Sequence, residues 1–223
     1  GEPTIHLPYI EKVVADARKI KPETKVNFDT NGYMTEKSLQ RVLNLTTSIT
    51  YDFKAYQNET HLALTGASAA PVLRNAEFIA RHAKDKLWEY RVVAIPKINE
   101  DEIQPLAEFI AAIDPTLPVC FLAFRPNFVL ENYPGATRSL MERCDEIAEQ
   151  CGLKNAYWSG HPDISGKIVE IDFEMKQSYR SKEAKMAGSY AQNAGCRTHP
   201  RNCRMCPLNL ECKLKRYIPQ RST

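Results

Sequence analysis

Thr50-Tyr-Asp-Phe-Lys-Ala-Tyr56 reads as the end of a short strand that presents an acid and a base separated by one residue. In a pleated strand alternate side chains share a face, so Asp52 and Lys54 project together into whatever lies beyond the strand's C-terminal end. Taken alone, Asp-x-Lys is either a solvated ion pair at a strand edge or part of a site. Two further segments come before it, Gly1-Glu-Pro-Thr4 and Phe28-Asp-Thr-Asn-Gly32, each where a strand hands over to a helix. In a parallel barrel the C-terminal strand ends converge on one mouth, where such folds carry their chemistry, so the three segments are expected at a single mouth.

Working outward, Ile10, Val13, Val14 and Ala17 repeat at the helical period, which predicts a helix over 4–20. A strand over 25–28, a turn over 29–32 and a helix from an N-cap at Thr35 to about residue 45 follow. Beyond the 48–53 strand, helices are expected over 59–64 and 72–82. A strand over 88–95 is stopped by Pro96, which has no N–H for a sheet ladder. A helix over 103–113, a nearly all-apolar strand over 118–124, a helix over 140–151 and a weaker strand over 155–158 complete the series. Apolar strands without alternation are covered on both faces, as parallel strands between helices are. The expected fold is therefore α/β: a partial (β/α) TIM-like barrel of parallel strands over 1–160, with too few strands to close eight. A small C-terminal Cys-rich metal-binding extension is expected over 161–223, with 164–173 a strand or extended cover and 179–192 helical.

Gly-Glu-Pro-Thr, then Thr-Asn-Gly, then Asp-Phe-Lys, in this order and spacing, resembles the radical S-adenosylmethionine (SAM) superfamily, and within it proteins of the pyruvate formate-lyase activating type. The resemblance implies a radical SAM enzyme, in which a [4Fe–4S] cluster held by three cysteines binds SAM and cleaves it reductively to a 5′-deoxyadenosyl radical. In the family those cysteines precede the Gly-Glu-Pro segment, so the resemblance puts the cluster ligands outside this chain and implies that the chain as written does not generate the radical. Cys120, Cys144 and Cys151 have the wrong spacing to replace them. Cys120 is read as strand core, and the other two, seven apart, as one buried helix face.

SAM carries an amino group, a carboxylate and a ribose, which call for acceptors, a cation or N–H groups, and paired polar side chains. By resemblance Glu2 and the Gly1 backbone meet the amino group, Asp52 and Lys54 meet the ribose and carboxylate end, and Asn31 lies nearby. Read only as residues, Asn31-Gly32 is equally a tight turn and Glu2 a helix-start acid. Phe124-Arg-Pro-Asn127 closes a later strand where the family brings substrate. Arg125 is a candidate for a bidentate grip on a substrate carboxylate or phosphate, or else a partner of Glu131, and Asn127 is a second substrate candidate. The implied partners are a reductant such as ferredoxin or flavodoxin and a protein, peptide, RNA or small-molecule substrate.

Four of the seven cysteines, Cys196, Cys203, Cys206 and Cys212, fall in the last 28 residues. This density points to a metal site, and Cys-x2-Cys places two ligands on one knuckle. Zinc and iron–sulfur clusters both accept four cysteines. The Cys-x2-Cys-x5-Cys core is similar to that of SPASM or twitch extensions, which implies an auxiliary [4Fe–4S] cluster, although Arg216 stands where a full SPASM pattern has another cysteine. Residues 197–223 hold seven Lys or Arg against Glu211, leaving 23 basic and 26 acidic residues in the rest. This basic tail supports an alternative of a different class, a non-catalytic metal knuckle that binds nucleic acid through phosphate contacts. No apolar run reaches the roughly 18–20 residues that span a bilayer, and cysteine usage suits a reducing compartment, so the expected location is the cytoplasm with no membrane partner.

Overall fold

The structure is a computed structural model that describes residues 1–126, 128–160 and 180–194, with the backbone alone for Phe128 and 189–194. A 3-10 turn (Pro3–His6) leads into α1 (Leu7–Ile20), followed by β1 (Asn27–Thr30), α2 (Glu36–Leu45), β2 (Ser48–Phe53), α3 (Asn58–Thr65) and α4 (Ala70–His82). Then come β3 (Leu87–Ala94), α5 (Ile103–Ile113), β4 (Pro118–Ala123), α6 (Arg138–Gln150), β5 (Asn155–Ser159) and α7 (Lys182–Ala194). The five strands form one sheet in the order β1-β2-β3-β4-β5, and every pairing is parallel. This is an α/β fold, a partial (β/α) barrel in which helices connect successive parallel strands.

Local chemistry explains where the expected bounds move. The first helix begins at Leu7 because Pro8, which lacks an N–H, is tolerated only in a helix's first turn. The first strand covers 27–30 rather than 25–28: the Val26 carbonyl accepts from the Thr47 and Ser48 amides, and the regular ladder starts at Asn27 opposite Ser48. Asp29 and Thr30 thus belong to the strand and not to the turn. Thr35 caps α2 as expected, its hydroxyl accepting from the Ser38 amide at 3.2 Å. Thr137 caps α6 in the same way, and Cys151 lies just past that helix's end, half-buried, instead of sharing a buried face with Cys144.

Register assigns the two faces of the sheet. Tyr51, Phe53 and Tyr90 lie on the helix side, with ring centroids 5.3, 5.7 and 5.2 Å apart. The buried hydroxyls of Tyr51 and Tyr90 donate to the α4 carbonyls of Val72 and Ala76 at 2.6 and 2.7 Å, which satisfies them and fastens α4 to the sheet. The opposite face is polar. Asp52, Arg91, Cys120 and Tyr157 stand at one level across four strands, and Asp29, Thr50 and Glu89 form the level before it.

Gly1–Gly188 forms one compact unit and Ser189–Thr223 a second. Within the first, Arg180 donates to the Leu87 carbonyl at 3.1 Å and lies 4.3 Å from the centroid of the Trp88 ring. A Cβ at Gly188 would come within 2.1 Å of the same ring, so only glycine allows this approach of α7. Among the described residues no helix is long and apolar enough to cross a membrane.

Candidate functional site

The first two punctuated segments meet at the end of β1. Glu2 caps the 3-10 turn: its Oε1 accepts from the Thr4 amide at 3.1 Å and from the Thr4 and Thr30 hydroxyls, each at 2.8 Å. Its Oε2 accepts from the Asn31 amide at 2.7 Å. One carboxylate thus ties the chain's opening residues to the β1 end and keeps one acceptor position on Oε2. Gly1 is exposed beside it. The Asn31 side chain accepts from the Tyr33 amide at 2.9 Å, an Asx turn. Gly32 has φ of 74° and passes over the Tyr51 hydroxyl, while its carbonyl accepts from Asn75 Nδ2 at 2.9 Å.

On the neighbouring strand, Lys54 Nζ meets Asp52 Oδ2 at 3.1 Å, with side chains 36% and 24% exposed. This is the same-face pair the alternation implies, and it is half-sheltered rather than free in water. The other Asp52 oxygen, Oδ1, is buried and has no hydrogen-bond partner. Such an orphan is costly, and it marks a position where a ligand donor would restore the lost bond.

Behind the pair lies a charged network that the sequence reading missed. Arg91 donates through Nε to Glu89 Oε1 at 2.6 Å and through a terminal nitrogen to Asp29 Oδ2 at 3.1 Å. The other Glu89 oxygen accepts from the Tyr157 hydroxyl. Burial pulls the Arg91 guanidinium down, but Glu89, Asp29 and Asp52 outweigh it and hold it above its ordinary value. Burial, then the neighbouring Cys120 and Glu89, push the Tyr157 phenol up, so it stays a hydrogen-bond donor. The available signal was period two: Glu89 and Arg91 alternate within an otherwise apolar run.

Of the remaining candidates, Arg125 alone is among the described residues. Arg125 is exposed and donates through Nε to the Gly160 carbonyl at 2.7 Å, so its partner is a backbone group on the next strand end and not Glu131. Asn127 and the cysteines at 196, 203, 206 and 212 lie outside the described residues.

The donor set at the β1 and β2 ends fits SAM. An orphaned carboxylate oxygen and the free acceptor position of Glu2 suit hydroxyl or ammonium donors, and the Lys54 ammonium suits a carboxylate. The described cysteines do not fit an iron–sulfur cluster. Burial pushes the thiols of Cys120 and Cys144 up to about 12, and they stand on separate elements, whereas cluster ligands are thiolates.

Residues 1–110, which hold all of this cradle, match the family model of the Radical SAM superfamily. Over those residues, just under half of the chain, the sequence is similar to the radical SAM superfamily, a class of enzymes. It is similar to the pyruvate formate-lyase-activating enzymes of Staphylococcus aureus strains USA300 and NCTC 8325 / PS 47, each 28% identical over 120 residues, 51% of this chain and 47% of theirs. The chain spans about half the length of the curated relatives it matches. A crystallised domain of pyruvate-formate lyase-activating enzyme from Bacteroides vulgatus ATCC 8482 shares the fold, with a TM-score of 0.58 at 17% identity, covering 72% of this chain and 95% of that one.

Proposed function

We propose that this chain is the SAM-binding part of a radical SAM enzyme that activates or modifies a protein substrate. The observation that carries the reading is the orphaned Asp52 oxygen beside Lys54, at a strand end within the residues that match the superfamily. Bound there and given one electron by a [4Fe–4S] cluster, SAM would split at its S–C5′ bond into methionine and a hydrogen-abstracting 5′-deoxyadenosyl radical. The residues of this chain bind and orient. Asp52 accepts from the ribose hydroxyls, Lys54 neutralises the carboxylate, and Glu2 with the Gly1 backbone receives the amino group. Asn31, tied to Glu2 through its amide, holds the chain's opening residues against the β1 end. A protein substrate and a ferredoxin- or flavodoxin-type reductant are supported by the kinship with activating enzymes. Arg125 and Asn127 are the candidates for contact with the substrate.

Removing one such charged contact from a partly dry site costs on the order of 2–3 kcal/mol, or roughly 30–150-fold in affinity. Lys54→Ala and Asp52→Ala should each weaken SAM binding by that factor and, in a protein that also carries the three-cysteine cluster segment and its cluster, slow 5′-deoxyadenosine formation under dithionite. Circular dichroism should be unchanged, because both side chains sit at a strand end. If both variants bind and cleave SAM like the parent, the pair is an ordinary surface ion pair and the cradle is wrong.

The same reading assigns an auxiliary [4Fe–4S] cluster to Cys196, Cys203, Cys206 and Cys212 in the extension within 161–223. Protein prepared without oxygen should be brown, with about four iron and four sulfide at the tail site, and Cys203→Ala should bleach it. Stoichiometric zinc without sulfide would instead favour the zinc knuckle and its nucleic-acid reading.

A further inference from the structure

Two buried polar residues on the segment between β3 and α5 hold the backbone that follows Lys54. Glu102 is 5% exposed, and its Oε2 accepts from the amides of Tyr56 and Gln57 at 2.6 and 2.9 Å. Asn99 is 2% exposed; its Nδ2 donates to the Val93 carbonyl at 2.9 Å and the Lys54 carbonyl at 3.4 Å, and its Oδ1 accepts from the Ile95 amide at 2.8 Å. A buried carboxylate and a buried amide are costly to place, and here they converge on residues 54–57 from the end of the neighbouring strand. The lysine side chain has four rotatable bonds, so the reach of its ammonium is set by where its backbone is held.

We infer that Glu102 and Asn99 are positioning residues of the SAM site, fixing the backbone of residues 54–57 so that the Lys54 ammonium stands where it serves both Asp52 and the cofactor. The inference rests on the SAM-binding reading above, and neither residue touches the cofactor. It extends the site to β3, beyond the strand-end segments at β1 and β2.

The test is SAM affinity by titration calorimetry on the full chain, with amide hydrogen exchange at Tyr56 and Gln57, for Glu102→Ala, the isosteric Glu102→Gln and Asn99→Ala. Glu102→Ala should weaken SAM binding roughly tenfold and speed exchange at both amides, and Glu102→Gln should do less of each because its carbonyl still accepts. Combined with Lys54→Ala, Glu102→Ala should cost nothing further, since it acts through Lys54. A full tenfold loss in both backgrounds would overturn the inference, because Glu102 would then support the fold in general. Unchanged affinity with faster exchange, or parental exchange in Glu102→Ala, would also overturn it and leave the cradle intact. Parental affinity in Lys54→Ala would overturn the cradle and the inference together.

Discussion

Replacing Glu89 with alanine should destabilise the folded chain by about 3–5 kcal/mol, a large part of the roughly 5–15 kcal/mol that holds a typical domain together. Glu89 is 2% exposed and takes the Arg91 guanidinium on one oxygen and the Tyr157 hydroxyl on the other. Its removal leaves a cation whose side chain is only 21% exposed with the pull of Asp52 and with Asp29, at a rim position 54% exposed where water screens the attraction. The change also removes the acceptor that the Tyr157 hydroxyl uses across the polar face from β3 to β5. The urea midpoint reads the effect. Glu89→Leu combined with Arg91→Leu should recover most of the loss, since an uncompensated buried charge costs more than an absent pair. A parental midpoint for Glu89→Ala would mean that Arg91 reaches solvent freely.

Gly32→Ala should cost about 3–5 kcal/mol, seen as a fall in melting temperature of about 10 °C or more. A backbone φ of 74° disfavours any side chain, and the new Cβ would lie 1.9 Å from the Tyr51 hydroxyl oxygen. Tyr51 is fully buried and its hydroxyl is fixed on the Val72 carbonyl, so it has no free direction in which to yield. The same shift would move Asn31 away from Glu2, so SAM affinity should fall with stability. A parental melting temperature would show that Tyr51 repacks at little cost.

The order of strands and helices was written in local pattern. Apolar runs bounded by Pro96 and by the Thr35 cap define their elements through backbone chemistry that acts over a few residues. The segments at the ends of β1 and β2 were equally legible, because a parallel α/β chain places every such end at one mouth, and Asp52 and Lys54 share a face through simple alternation; Gly1–Thr4, expected at a strand end, instead opens a 3-10 turn and reaches β1 through Glu2. Tertiary structure decided the rest. That Glu2 serves as a tie to β1 as well as a helix-start acid depends on Thr30 and Asn31, which are distant in sequence and meet it only once the opening 3-10 turn packs against β1. The start of β1 was set by its register against β2, not by its own apolar content. The link from Glu89 to Tyr157, and the hold of Glu102 on the amides after Lys54, join residues 68 and about 45 positions apart. Periodicity can say which face a residue occupies, but a partner from another strand is chosen by sheet order and register, which exist only once the chain has folded.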